Sequence, residues 1–357
     1  MKEINVTLAN DLKAKPVDEG KLGFGKIFTD HMFLLDYSPE SGWHDARIVP
    51  YGPFAMDPAS MVLHYGQAIF EGTKCYHAKD GGLQLFRPRE NFERMNRSAA
   101  RMCIPELDID LCMAGLVQLL QLEKEWVPHT QGTSLYIRPF IIATDPFLGV
   151  HASKTYRFAI ILSPSGAYYP GGIAPIGIYV EDEFVRAVRG GVGYAKAAGN
   201  YAASILAAQM AEEKGYVQVL WLDGVDRRYV EEVGAMNMMF VYGDKVVTPA
   251  LSGSILPGIT RDSILKLASS LGYKVEEGRL AIDVLFEDIK AGRLTEAFGT
   301  GTAAVVSPVG ELCYRGEKAT VGDGGIGRVT RRLYDTLTGI QLGKEPDPFG
   351  WVVRLQE

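Results

Sequence analysis

Cysteine is scarce in this chain. The four in 357 residues, at 75, 103, 112 and 313, make no CxxC pair and no framework spacing. That excludes a small crosslinked secreted scaffold and fits a reduced, cytoplasmic setting. The six histidines, at 31, 44, 64, 77, 129 and 151, form no HExxH or comparable pattern, so no metal site is expected. Basic residues are outnumbered, 37 Lys and Arg against 43 Asp and Glu, for a formal net charge of −6. Neither a nucleic acid nor an anionic membrane surface is an expected partner. Apolar runs such as "FAIIL" and "VLWL" have strand length, well short of the roughly eighteen residues that a membrane span needs. The opening "MKEINVTLANDLKAKPVDEG" is charged throughout and lacks the apolar core of a signal peptide.

What is present is the balance of an ordinary globular protein, 47% apolar and 22% charged, with length enough for two domains. Glycine and proline crowd residues 163–177, "SPSGAYYPGGIAPIG", which marks a linker. We place it at 169–182, between a small α+β domain at 1–168 and a large domain at 183–357. "QLFRPRENFERMNRSAARM" and "DIDLCMAGLVQLLQLEKEWV" carry helical periodicity, and "TSLYIRPFIIAT" and "TYRFAIILS" read as strands. Beyond the linker, "NYAASILAAQMAEEKG" predicts one helix capped by Asn200 and Gly215. "NMMFVYGDKVVTP" predicts a hairpin turning at Gly243-Asp244, and "GITRDSILKLASSLGY" a helix ended by Gly272. Helices and strands mix without strict alternation, so the fold class is α+β.

The motifs each admit a plain reading and a chemical one. "GDGGIG", residues 322–327, satisfies G-x-G-x-x-G but too little chain follows for a dinucleotide-binding βαβ unit, so it reads as a turn opening the last helix. In "YAKAAGNYAASI" Lys196 has no acid within six residues and only small neighbours. It is either a lysine on an exposed turn or an amine facing a cavity that those small residues leave open. "LPGITRDSIL" delivers Gly258, Ile259 and Thr260 to a helix N-terminus, where unpaired N–H groups and the helix dipole suit an anion. "YVEEVGAMNMMFVY" sets Glu231 and Glu232 before an apolar strand, as a solvated strand end or as an acid held inside. "EAFGTGTAAVVSPV" offers a glycine-threonine turn. "SLYIRPFII" puts Tyr136 and Arg138 on one strand face, and "LHYGQAIFEG" gathers Tyr65 and Phe70 before a glycine. An amine, two anion-binding turns, a buried acid and aromatics are together what a pyridoxal phosphate enzyme requires.

With these motifs in order along the chain, the sequence resembles the branched-chain amino acid aminotransferases, pyridoxal phosphate enzymes of fold type IV. The resemblance runs from "FGKIFTDHM" through "HYGQAIFEG", "LFRPRENFERMNRSA", "SLYIRPFIIATDPFLGV", "GAYYPGG" and "VRAVRGGVGYAKAAGNYAAS" to "EEVGAMNMMFV", "LPGITRDSIL" and "FGTGTAAVVSPVG". It implies a two-domain fold with the active site at the domain interface and the cofactor on the C-terminal domain. Lys196 is then the Schiff-base lysine. Arg94, Ile259, Thr260 and Thr302 are implied as phosphate ligands, with Gly258 in the same turn. Glu232 falls on the pyridine nitrogen, Tyr201 on the 3-oxygen and Leu256 on the ring face, while Arg186 matches an arginine near the cofactor. The N–H groups of Thr302 and Ala303 would take the substrate carboxylate. Phe24, Phe70, Tyr136 and Tyr168 would wall the side-chain pocket, with Arg138 for an acidic partner. Tyr65 and Val150 would enter from the neighbouring subunit, which implies a homodimer.

The implied reaction moves an amino group between leucine, isoleucine or valine and 2-oxoglutarate in two half-reactions, giving glutamate and branched 2-oxo acids. A D-amino acid aminotransferase or aminodeoxychorismate lyase would share Lys196 and Glu232 but not the EVGAMN run, and a cofactor-free binding protein is the reading from another class. The sequence departs from animal members of the family at one place. Ala304 and Ser307 stand where those carry a CxxC pair, so no thiol switch is expected there.

Overall fold

The computed structural model describes residues 3–167 and 172–355. The chain divides into two compact units. The first comprises Met1–Pro170, Ala195–Gly199 and Ile340–Glu357, and the second Gly171–Tyr194 and Asn200–Gly339. This departs from the sequence division in three ways. The unit holding the N-terminus is the larger. Residues 195–199 and 340–357, expected in the C-terminal domain, pack with it. Within the stretch expected to be a linker, Ile176–Glu181 is a strand paired on both sides inside the second unit. Strand pairing recruits chain by register and hydrogen bonding, which local glycine and proline content does not report.

In the first unit, nine strands among the described residues form one sheet, antiparallel except where Asn5–Val6 joins Gly42–Pro50. Its centre is the pair Ser134–Ala143 and Tyr156–Ser165, in register from Ser134↔Ser165 to Ala143↔Tyr156. The helices Pro88–Arg101 and Ile109–Leu122 contribute to one apolar core with the sheet. Gly115 lets the second helix approach closely, because a Cβ there would meet the Phe33 ring at 2.5 Å. Proline at the first position of Pro88–Arg101 suits a helix start, where its missing N–H costs nothing. The periodicity then sorts two stripes. Phe92, Met95 and Ala99 face the core, and Asn91, Arg94 and Ser98 form a buried polar row beside them.

In the second unit the strand order runs Val230–Val233, Gln218–Leu222, Ile176–Glu181, Val305–Tyr314, Glu296–Gly301, Met236–Tyr242, Lys245–Pro249 and Lys274–Gly278. Val230–Val233 also pairs with Met236–Tyr242, closing six of these strands into a ring. The hairpin at Gly243-Asp244 forms as predicted, with Tyr242 opposite Lys245. The alanine-rich segment does not form one helix. It breaks into Ala198–Ala202 and Ile205–Glu213, and Asn200 lies inside the first piece, donating to the Val192 carbonyl at 2.9 Å rather than capping. "GDGGIG" is a turn before the helix Arg328–Gln341, with Gly322 and Gly324 at positive φ.

Candidate active site

In the first unit the site is assembled around Lys196. The segment 195–199 is tied to the strand Ala68–Phe70: Ile69 bridges Ala197, and the Phe70 N–H donates to the Lys196 carbonyl at 3.1 Å. Ser98, on the polar row of its helix, accepts the Lys196 N–H at 2.9 Å. Ala195 and Ala197 are buried on either side. The backbone at Lys196 is therefore fixed from two directions. Its ammonium lies 4.6 Å from the centre of the Phe70 ring. Burial first, and then the Arg94 charge, push its pKa down to about 8, against the opposing pull of Glu71. The exposed-turn reading of Lys196 is overturned.

Phe70, Tyr136, Arg138 and Phe24 form one wall. The Arg138 guanidinium is 4.8 Å from the Phe70 ring centre and 3.4 Å from the Tyr136 hydroxyl, to which it donates. Phe24 packs edge-on against Tyr136 at 4.8 Å. Arg138 Nε is buried with no hydrogen-bond partner among the described residues. Gly72 makes room for this wall, since a Cβ there would sit 2.0 Å from the Tyr136 hydroxyl.

Two charged groups that sequence reasoning passed over belong to the same cluster. Glu71 is fully buried and accepts from Arg94 Nε and Nη2, both at 2.8 Å, and from Asn91 Nδ2 at 2.8 Å. Lys74 pairs with Tyr136 across the sheet, and burial pushes its amine down to about 8 as well. The helical spacing of Asn91, Arg94 and Ser98 was a legible signal for the polar row. Nothing local signalled that Glu71 would meet it.

In the second unit all four residues of Val230–Val233 are buried, so neither glutamate is a solvated strand end. Glu231 bonds to the Ser254 and Ser252 hydroxyls, and burial raises its pKa. Glu232 lies 2.8 Å from Arg186 Nε, accepts the Leu256 N–H at 2.8 Å, and accepts from Asn237 Nδ2 at 3.3 Å. Arg186 in turn donates to the Gly193 and Ser254 carbonyls. Asn237 stands opposite Glu232 in the hairpin and also donates to the Leu256 carbonyl at 2.9 Å. That places Leu256 and the start of the helix Ile259–Ser270 beside the acid. Gly258 caps the helix without a side chain, and a Cβ on it would strike Asn237 Oδ1 at 2.0 Å. Thr302 and Ala303 lie in the turn after Glu296–Gly301, ahead of Val305 at φ +63°. The neighbouring Thr300 hydroxyl is buried without a partner among the described residues. Tyr201 is half-buried in the helix Ala198–Ala202.

These residues fit pyridoxal phosphate by their chemistry. The first unit by itself holds a half-buried amine of lowered pKa with an arginine near it. The second by itself holds an acid paired with Arg186, a helix start capped by glycine with no side-chain hydrogen bond, and a buried Thr300 hydroxyl without a partner among the described residues. Tyr168 lies outside the described residues. Tyr65 and Val150 are exposed, 42% and 83%, and the Tyr65 hydroxyl donates to the Leu148 carbonyl. Among the described residues no group of His, Cys, Asp and Glu could hold a metal ion, and no helix is long and apolar enough to cross a membrane.

Known proteins are similar to this chain in sequence and in fold. The family model for amino-transferase class IV matches residues 68–312. Branched-chain-amino-acid aminotransferase 2 of Bacillus subtilis is 55% identical over 352 residues, covering 99% of this chain and 97% of that one. The crystal structure of the Escherichia coli branched-chain amino acid aminotransferase superposes with a TM-score of 0.77 at 30% identity, over 92% of this chain and 99% of that one. The branched-chain aminotransferase of the archaeon Thermoproteus uzoniensis, solved with norvaline, superposes with a TM-score of 0.75 at 26% identity, over 91% and 100%. Both the matched family model and the full-length identity lead to one assignment: this chain belongs to the class IV aminotransferases, and among them to the branched-chain amino acid aminotransferases.

Proposed function

We propose that the protein transfers the amino group reversibly between leucine, isoleucine or valine and 2-oxoglutarate, by a ping-pong cycle on pyridoxal phosphate. The observation that carries this reading is the Lys196 amine, enclosed, lowered to about 8 and set against an apolar wall that contains one arginine. Bound there, pyridoxal phosphate would supply the carbonyl that takes up the amino group and a ring that disperses the electron pair left at the substrate α-carbon. Lys196 would hold it covalently, with Arg94, Ile259, Thr260 and Thr302 on its phosphate and Gly258 allowing the approach. Glu232 would face the ring nitrogen, Tyr201 the 3-oxygen and Leu256 the ring face.

The chain's own residues then do the following. Lys196 Nζ, neutral in an appreciable fraction near pH 8, takes the α-proton of the amino acid as a general base. Glu232, paired with Arg186 at 2.8 Å, would hold a proton on the ring nitrogen. The N–H groups of Thr302 and Ala303 hold the α-carboxylate. Phe24, Phe70, Tyr136 and Tyr168, with Tyr65 of the partner subunit and Val150 of the partner subunit, exclude water and bury the branched alkyl chain. Their role makes the active unit a homodimer. Support for it comes from the exposure of Tyr65 and Val150 together with Leu63, Phe147 and Leu148, an apolar set that solvent disfavours.

The test is the visible spectrum of the purified protein. Leucine, isoleucine and valine should each bleach the cofactor band, and 2-oxoglutarate should restore it. A band that responds to D-alanine and not to leucine would overturn the proposal in favour of a D-amino acid aminotransferase.

A further inference from the structure

The proposed chemistry asks two cations to share one small pocket. The Arg94 guanidinium lies within electrostatic reach of the Lys196 ammonium and raises the cost of charging it. Two like charges in an enclosed space repel strongly unless an anion stands with them. Glu71 is that anion. It occupies the break between the strands Ala68–Phe70 and Thr73–His77, and its N–H donates to the Pro139 carbonyl at 2.7 Å. The backbone is thereby pinned to the strand that carries Tyr136 and Arg138. Phe70, the preceding residue, is the one whose N–H holds the Lys196 carbonyl.

The Glu71 carboxylate accepts two parallel N–H bonds from Arg94 at 2.8 Å, one from Asn91 Nδ2 at 2.8 Å and one from the Gly72 N–H at 3.3 Å. A two-point contact of this kind sets the plane of the guanidinium as well as its distance. Burial alone would push the Glu71 carboxyl up, but Arg94 and then Lys196 hold it below the usual carboxylate range.

We propose that Glu71 is the positioning residue of this site, fixing the orientation of Arg94 and supplying the counter-charge that lets Arg94 and the Lys196 amine stand side by side. The proposal rests on the assignment of Lys196 as the reactive amine. The charged and titratable groups around that amine in this unit are Arg94 from its helix, Glu71, and Tyr136 and Arg138 from their strand, with Lys74 opposite Tyr136. Of these only Glu71 is acidic. Its neutralisation therefore removes the one carboxylate among these groups and leaves the repulsion from Arg94 and Arg138 unopposed by it.

The experiment follows amine reactivity, not turnover. Cofactor-stripped protein is incubated with pyridoxal, which lacks the phosphate, across a pH series. The product is trapped with cyanoborohydride, and modification at Lys196 and at Lys74 is read separately by peptide mass mapping. Glu71→Gln should move the midpoint for Lys196 to lower pH by about one unit or more, the scale of losing one close opposite charge. Arg94→Gln, with Glu71 in place, should move it to higher pH. Glu71→Asp, which keeps the charge, should stay nearer the parent than Glu71→Gln. A folded Glu71→Gln protein with an unmoved midpoint would overturn the proposal and leave the assignment of Lys196 standing. If Glu71→Gln does not fold, an unmoved midpoint in Arg94→Gln overturns it equally. Failure of pyridoxal phosphate itself to modify Lys196 in the parent protein would overturn both readings.

Discussion

Arg186 Nε stands 2.8 Å from Glu232 Oε2, with both side chains almost wholly withdrawn from solvent. A buried carboxylate in contact with a guanidinium stays ionised, which is the state an acid must have to hold a proton on a neighbouring ring nitrogen. Removing Arg186, for example by Arg186→Leu, should leave Glu232 buried and uncompensated. The expected cost is about 3–5 kcal/mol of folding stability, measured by denaturant unfolding.

Glu232 and Glu231 should separate by phenotype. Glu232→Gln removes the charge from the proposed ring-nitrogen site and should slow the chemical step by about 100-fold or more in single-turnover kinetics. Glu231→Gln disturbs the bonds to Ser254 and Ser252. It should lower stability by about 1–3 kcal/mol and leave the single-turnover rate of the folded enzyme within a few-fold. Equal rate losses would mean that the register assigned to this strand end serves no distinct chemistry.

The lowered pKa of Lys196 has a thermodynamic consequence in the cofactor-free protein. Its folded value is about 8 against an ordinary 10.5, so between these values the unfolded chain binds more protons than the folded one. Stability then rises with pH across that window. Below pH 8 both states carry the proton and the folded state bears the whole penalty. Lys196→Met should accordingly melt above the parent at pH 7, and the gap should close between pH 8 and pH 10.5. A gap independent of pH would show that the amine is not electrostatically strained.

Arg138 is the cation on the apolar wall. Arg138→Met should weaken the glutamate half-reaction by roughly 1.5–3 kcal/mol, the scale of one charge-assisted contact, and the leucine half-reaction much less. Discrimination among leucine, isoleucine and valine should remain modest in both proteins, since a methylene is worth only about 1–3 kcal/mol. Single-turnover rates for each amino acid decide it, and equal losses for leucine and glutamate would make Arg138 structural.

Gly258→Ala should loosen cofactor binding without unfolding the protein. The added Cβ would fall 2.0 Å from Asn237 Oδ1, and Asn237 bridges Glu232 and Leu256. Equilibrium titration of the stripped protein with pyridoxal phosphate should show weaker affinity. Unchanged affinity would mean that Asn237 yields at no cost.

Thiol oxidation should not act near Thr302. Ala304 and Ser307 cannot form a disulfide, and Cys313 beyond them is buried. Cys75 and Cys112 are buried too, and burial pushes the Cys75 thiol up to about 12 and Cys112 up as well. Mild peroxide should therefore modify Cys103, the exposed thiol, first. Reversible inactivation mapped by mass spectrometry to the turn after Thr302 would contradict this.

The chain itself determined whatever depends on near neighbours. The helix Ile259–Ser270 ending ahead of Gly272, the hairpin at Gly243-Asp244 and the turn at 322–327 all follow from residues a few positions apart. Lys196 among alanines and the "LPGITR" turn stood out for the same reason. Where packing outweighed local preference, the reading missed. The alanine-rich segment breaks between Ala202 and Ile205, with Asn200 drawn toward Val192. Residues 340–357 leave the C-terminal half to pair Val352–Arg354 with Leu83–Phe86.

Only the tertiary structure decided which charges are paired. Glu71 reads as one acid before a glycine until the sheet brings it to Arg94, 23 positions away. Glu232 is 46 positions from Arg186, and Lys196 meets Ser98 across 98. Charge pairing depends on distance and burial in space, and chain order carries neither. The sequence could therefore single out Lys196 as the proposed reactive amine, whereas the groups that set its charge and hold its neighbours became visible only when the strands were in register.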